Sequence, residues 1–230
     1  MTWDFSLVKN LRHEDRSFEL RIHCRSDANK LVLFGPSGAG KTMTLKMIAG
    51  LLKPDSGHVR LAGETLFDST TGIDLSPQAR RLAYVFQDYA LFPHLNVRQN
   101  IAFALHTGWR NPLRSTAHAA VERWLRAFSL KSVEQFYPHQ LSGGQKQRTA
   151  LARALVSQPR ALLLDEPFAA LDKALRHSLR SELAQLQAEL KTPMLLITHD
   201  EDDITNLADE VVHIAAGQVV PATGTTFSVS

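Results

Sequence analysis

Three short runs along the chain are apolar at nearly every position, and each leads into a stretch whose apolar residues recur at spacings of three and four. Residues 30–34 (KLVLF) precede residues 43–52, where Leu45, Ile48, Ala49 and Leu52 share one helical face. Residues 161–165 (ALLLD) precede a long helix carrying Leu175, Leu179, Leu183, Leu186 and Leu190. Residues 193–198 (PMLLIT) precede a short helix in HDEDDITNLAD, with Thr198 and Glu201 at the spacing of a capping box. Continuous apolar strands alternating with amphipathic helices predict a parallel sheet covered on both faces. Residues 1–29 and 57–86 alternate instead, as antiparallel strands do, with turns at DSG and LAG. Residues 88–158 read as mainly helical, most clearly in HAAVERWLRAF and in the stretch after Ser142. The predicted fold class is α/β, with a mixed-sheet core, an antiparallel β subdomain and an α-helical subdomain over about residues 88–158. Residues 1–217 read as this one domain, and 218–230, small, polar and aperiodic, as a tail or a cut linker.

Composition narrows the class without naming a chemistry. A chain of 230 residues, 44% hydrophobic and 21% charged, is that of an ordinary globular domain. Lys and Arg (26) barely outnumber Asp and Glu (23), so no basic stripe marks a nucleic-acid surface and no such partner is expected. Cys24 is the only cysteine, which excludes an intramolecular disulfide and a CxxC motif. With no apolar signal core at the start and no run of roughly 18 apolar residues, the expectation is a reduced, cytosolic protein.

The chemistry lies at the ends of the apolar runs. GPSGAGKT, comprising Gly35, Pro36, Ser37, Gly38, Ala39, Gly40, Lys41 and Thr42, fits G-x-x-x-x-G-K-[ST] between a strand and a helix. Its glycines allow backbone N–H groups to form an anion nest, Lys41 supplies a charge for β and γ phosphates, and Thr42 offers a hydroxyl to Mg²⁺. A glycine-rich turn with a surface lysine would lack that flanking strand and helix. Asp165 and Glu166 end ALLLD, where a carboxylate pair either caps the next helix or, beside a phosphate loop, holds Mg²⁺ (Asp165) and orients the attacking water (Glu166). Gln87 after LAYVF is either a plain strand terminus or a ligand for Mg²⁺ or that water. His199 after PMLLIT, judged from spacing alone, is first a structural hydrogen-bonding residue. Both lie at carboxyl ends of predicted parallel strands, where open α/β sheets bind ligands. A second anion-facing helix start follows at Ser142, with Gly143, Gly144 and a capping-box partner, Gln145.

Taken together, GPSGAGKT, QDYALFPHLNVRQNIAFAL, LSGGQKQR, LLLDEPFAALD and ITHDEDD occur in the order and spacing of ABC-transporter ATPase subunits, which the chain resembles from about Leu31 to Gly217. The resemblance implies a P-loop NTPase fold of the ABC type that hydrolyses ATP with Mg²⁺. It implies two copies facing head to tail, so that Ser142, Gly143, Gly144 and Gln145 contact the γ-phosphate held by the other copy's Gly35–Thr42 loop. It assigns Gln87 to sensing Mg²⁺ and water, Asp172 to the dimer interface and His199 to the γ-phosphate, reversing the reading of His199 from spacing. Lys41, Gln87, Glu166 and His199 become the catalytic set, and Thr42, Asp165 and Gln87 the metal set.

YALFPHLNVRQNIAF and DEPFAALD further resemble ATPases of bacterial uptake systems for molybdate, sulfate, iron, maltose or polyamines, and the abbreviated N-terminal region and compact helical insertion resemble the molybdate type most. That implies a peripheral protein at the cytoplasmic face of the membrane, docked on permease subunits near Gln87–His94, with Leu91 and Phe92 either exposed there or packed as core. Those relatives stack an aromatic residue on adenine, whereas this register gives Arg12, with His13 next and Phe5 or Phe18 further off; arginine also stacks on a base face. The rivals are a nucleic-acid ATPase, which would interrupt the fold with long coiled coils or pair two ATPase domains in one chain, and a nucleotide clamp without turnover, which would lack Glu166 or His199.

Overall fold

In the computed structural model, residues 1–13, 16–106, 111–113, 118–169 and 171–221 are described, without the side chains of 12, 13 and 16. The described residues divide into two units, Met1–Arg80 with the segment from Pro193 onward, and Arg81–Thr192.

The first unit begins with two eleven-residue strands, β1 (Trp3–His13) and β2 (Arg16–Ser26), paired antiparallel with Phe5 opposite Cys24 and Leu7 opposite Ile22. From Leu20 to Ser26 burial alternates residue by residue, so one face enters the core and the other meets solvent. β3 (Lys30–Phe34), with Leu31, Val32 and Leu33 fully buried, runs into α1 (Lys41–Ala49), which ends at Gly50 in the left-handed region, φ 79°. Leu45, Ile48 and Ala49 are buried as expected, whereas Leu52 lies beyond the helix end. Antiparallel strands β4 (Ser56–Leu61), β5 (Glu64–Asp68) and β6 (Ile73–Asp74) follow, then a short helix α2 (Pro77–Arg80). Arg80 is 1% exposed and donates from Nη1 to the Met47 and Ile48 carbonyls, 2.8 Å each, capping the end of α1 with a cation.

The second unit holds β7 (Leu82–Val85), α3 (Val97–Phe103), α4 (Ala119–Ala127), α5 (Gly143–Leu155), β8 (Ala161–Asp165) and α6 (Lys173–Leu190). β7 pairs parallel with β8, Val85 opposite Leu164, which corrects the antiparallel expectation drawn from alternation over residues 57–86 and agrees with the parallel strand expected before Gln87. Alternate burial along β7 imitates an antiparallel edge because its two faces are covered unequally. The helices α3, α4 and α5 fill the stretch expected to be helical, and Trp124, Leu125, Leu151 and Leu155 belong to their buried side.

The chain returns to the first unit with β9 (Met194–Thr198), α7 (Glu201–Leu207), β10 (Glu210–Ala215) and β11 (Gln218–Val220). Strand order there is β6-β5-β4-β1-β2-β11-β10-β3-β9, antiparallel at one end and parallel from β10 through β3 to β9, so the sheet is mixed. The segment expected to be a tail from residue 218 therefore opens with a strand, paired with β10; residues 222–230 lie outside the described residues. α7 is capped by Asp200, whose side chain accepts from the Asp202 N–H at 2.9 Å, not by Thr198 and Glu201. Thr198 ends β9, two residues too early to be that cap. Among the described residues no helix is long and apolar enough to cross a membrane.

Candidate nucleotide site

In the first unit, Phe34 of β3 is paired with Thr198 of β9, so Gly35 and His199 leave adjacent parallel strand ends. A Cβ on Gly35 would lie 2.0 Å from the Ile214 carbonyl oxygen of β10, so the loop leaves the sheet where only glycine fits. Lys41 is 4% exposed, and its ammonium donates to the Gly35 and Pro36 carbonyls at 2.6 and 3.0 Å, holding a positive charge inside the loop. Pro36, Ser37 and Gly38 are exposed, Ala39 is buried, and Gly40 adopts φ 99° at the start of α1. Thr42, half-buried, occupies the first turn of that helix. His199 is exposed on a turn fixed by Thr198, whose hydroxyl accepts from the Asp200 N–H at 3.0 Å and donates to Asp203 at 2.5 Å. Arg12 and His13, the register positions for adenine, have side chains outside the described residues.

The second unit gathers the other candidates. Asp165 is 4% exposed at the end of β8 and accepts a 2.7 Å hydrogen bond from the Tyr84 hydroxyl of β7. Burial first, and the Asp165 carboxylate second, push the Tyr84 phenol well above its ordinary pKa, so it acts as the donor. Glu166 follows at φ 45°, a left-handed conformation that turns the chain sharply away from the strand. Gln87 is exposed two residues beyond β7. Ser142 caps α5 with both halves of the expected box: its hydroxyl accepts from the Gln145 N–H at 3.3 Å, and the Gln145 side chain accepts from the Ser142 N–H at 2.9 Å. Ser142 and Gly143 are exposed, while Gly144 is buried against Leu175, 2.9 Å from the position a Cβ would take. Asp172 caps α6 by accepting from the Leu175 N–H at 3.0 Å, so the start of α6 carries both that cap and the leucine beneath Gly144.

Each unit thus assembles its own share of the candidates: Gly35–Thr42 with His199 in one, and Gln87, Asp165, Glu166, Ser142–Gln145 and Asp172 in the other. Tyr84, Asp203 and Leu175 were missed as supports. A phenol within the apolar run LAYVF was the one available sign, since a tyrosine there must place its hydroxyl.

An open, largely apolar groove of about 460 Å³ lies beside Gln87, lined among others by Tyr84, Phe86, Phe92, Phe103 and Arg153. Leu91 and Phe92 are half-buried, between the two alternatives expected for them. Arg153 of α5 donates to the Ala90 and Tyr89 carbonyls at 2.7 and 2.8 Å and lies 5.5 Å from the Phe92 ring centroid, fixing the groove's edge.

Residues 22–169 match the family model for ABC transporters. The molybdenum import ATP-binding protein ModC of Paramagnetospirillum magneticum is 40% identical over 210 residues, 91% of this chain and 57% of that protein. A probable sulfate/thiosulfate import ATP-binding protein CysA of Chlorella vulgaris is 42% identical over 217 residues, 93% of this chain and 89% of its own. The chain spans a little over half the length of the ModC relatives it matches. In fold it resembles the dimeric structure of MJ0796, a bacterial ABC transporter cassette, with TM-score 0.77, 25% identity and coverage of 95% of this chain and 96% of that one. The chain belongs to the ABC transporter family.

Proposed function

We propose that this protein is the ATP-hydrolysing subunit of a membrane importer for an inorganic oxyanion. The observation that carries the reading is the presence in one chain of a lysine-filled phosphate loop and of a second, exposed and glycine-rich helix start. The named functions of the ModC and CysA relatives, molybdenum and sulfate/thiosulfate import, support an oxyanion as the solute, molybdate first. In this reading Lys41 exchanges its loop carbonyls for the β and γ phosphates, and the loop N–H groups take the remaining charge. Glu166 orients the attacking water and accepts its proton, while His199 and Gln87 hold the γ-phosphate and that water. Thr42, Asp165 and Gln87 offer only oxygen donors, and among the described residues no three His, Cys, Asp or Glu cluster as a metal cage. That donor set suits Mg²⁺: these three residues would hold it, and it would supply neutralising charge for phosphoryl transfer.

Two copies form the working unit, each presenting Ser142–Gln145 to the nucleotide of the other, with Asp172 at the interface; the dimeric cassette of similar fold supports this arrangement. The groove beside Gln87–His94 receives an apolar segment of a membrane subunit, since transport needs a spanning element and no described helix is one. The protein then works at the cytoplasmic face of the membrane. The test is phosphate release from ATP with Mg²⁺ by the purified protein, with and without its membrane subunits. Lys41→Ala should lose ATP binding, and Glu166→Gln should keep it while turnover falls by about 10²–10⁴. Equal turnover in Glu166→Gln and the unsubstituted protein would contradict the reading.

A further inference from the structure

Tyr84 touches two places at once. It is the third residue of β7, whose other members are Leu82, Ala83 and Val85, and its hydroxyl donates at 2.7 Å to Oδ2 of Asp165 on the neighbouring strand. Its ring lies 4.4 Å from that of Phe86, centroid to centroid, and both rings line the apolar groove. Lining that groove requires only the ring, and phenylalanine would serve. The hydroxyl is what reaches the carboxylate. An aspartate side chain can rotate, and a donor fixed on Oδ2 selects one orientation for the group. Because the two strands run parallel with Tyr84 opposite Leu163, the donor rests on the same backbone ladder that presents Asp165.

We propose that Tyr84 is a positioning residue for Asp165, its hydroxyl holding the carboxylate in the orientation that receives the metal and its ring anchoring that hold in the wall of the groove. The inference rests on the reading of Asp165 as the metal carboxylate. Removing an outer partner of a metal-binding carboxylate typically lowers metal affinity by about 10- to 100-fold.

Mn²⁺ serves as the probe. Its free electron paramagnetic resonance signal is followed as Mn²⁺ is titrated into the full chain with a non-hydrolysable ATP analogue, protein in excess. Tyr84→Phe should raise the Mn²⁺ dissociation constant by about tenfold. Affinity for the analogue in EDTA and the melting temperature should stay at the unsubstituted values. Asp165→Asn separates the two layers of the argument. If it weakens Mn²⁺ binding and Tyr84→Phe does not, the role of Tyr84 is overturned and that of Asp165 stands. If neither does, the metal assignment of Asp165 falls and the inference with it. A second measurement needs no change at Tyr84. The chain has three tyrosines, so ¹³Cζ-tyrosine spectra with Tyr89→Phe and Tyr137→Phe assign the third resonance. Addition of Mg²⁺ to the nucleotide complex should shift it, and a stationary resonance would overturn the proposal.

Discussion

At the scale of single residues, the phosphate loop leaves the sheet against the backbone of β10. Gly35 meets the Ile214 backbone carbonyl so closely that even alanine would place a carbon 2.0 Å from the oxygen. Backbone cannot yield as a flexible side chain can, so β10 or the loop must move. Gly35→Ala should therefore destabilise the protein by roughly 3 kcal/mol or more, beyond any loss of nucleotide binding. Thermal unfolding without nucleotide checks this, and an unchanged melting temperature would show that the loop relaxes freely. The residues of this loop were legible in the sequence because phosphate chemistry requires glycines, lysine and a hydroxyl at fixed spacing. Arg80 and Tyr84 were not. Arg80 caps a helix that ends more than thirty residues earlier, and Tyr84 meets a carboxylate 81 residues later. No local pattern encodes such a partner.

At the scale of elements, burial on both faces made β3, β8 and β9 readable as parallel-sheet strands. β7 was misread for the complementary reason, that uneven cover produces alternation in a parallel strand too. The helical stretch was legible from its periodicity, but the ion network that ties α3 to α4 was not. Arg98, 6% exposed, pairs with Glu122 of α4 and with Glu134, and Lys131 bridges both carboxylates at 3.0 Å. Arg98 and then Lys131 hold Glu122 below its ordinary pKa; burial pushes Glu134 up, but Lys131 and Arg98 outweigh it and the net shift is downward. A carboxylate with a lowered folded pKa stabilises at neutral pH, and this is lost as pH falls below its unfolded value of about 4.3. Arg98→Met should accordingly be less stable than the unsubstituted protein at pH 7. The difference should shrink between pH 5 and pH 3, measured by denaturant unfolding. A constant difference across that range would mean that Arg98 contributes through packed stem atoms and not through charge.

At the scale of the whole molecule, the proposed function requires an assembly larger than one chain. The capping box at Ser142 satisfies that helix start internally, yet Ser142 and Gly143 remain exposed, with Leu171, just before α6, close to Gly143 and Leu175, in the first turn of α6, close to Gly144. A firm, exposed helix start, with the positive end of its dipole outward, suits a γ-phosphate brought by a second copy. In the proposed function, hydrolysis would remove that charge and release the pair, and nucleotide state would thereby control assembly. The most direct test is the solution mass of Glu166→Gln by light scattering, with and without ATP and Mg²⁺. The account predicts a monomer without nucleotide, a dimer with it, and reversion to monomer when Ser142→Arg is added. A mass indifferent to ATP, or a dimer that survives Ser142→Arg, would contradict a nucleotide shared between two chains.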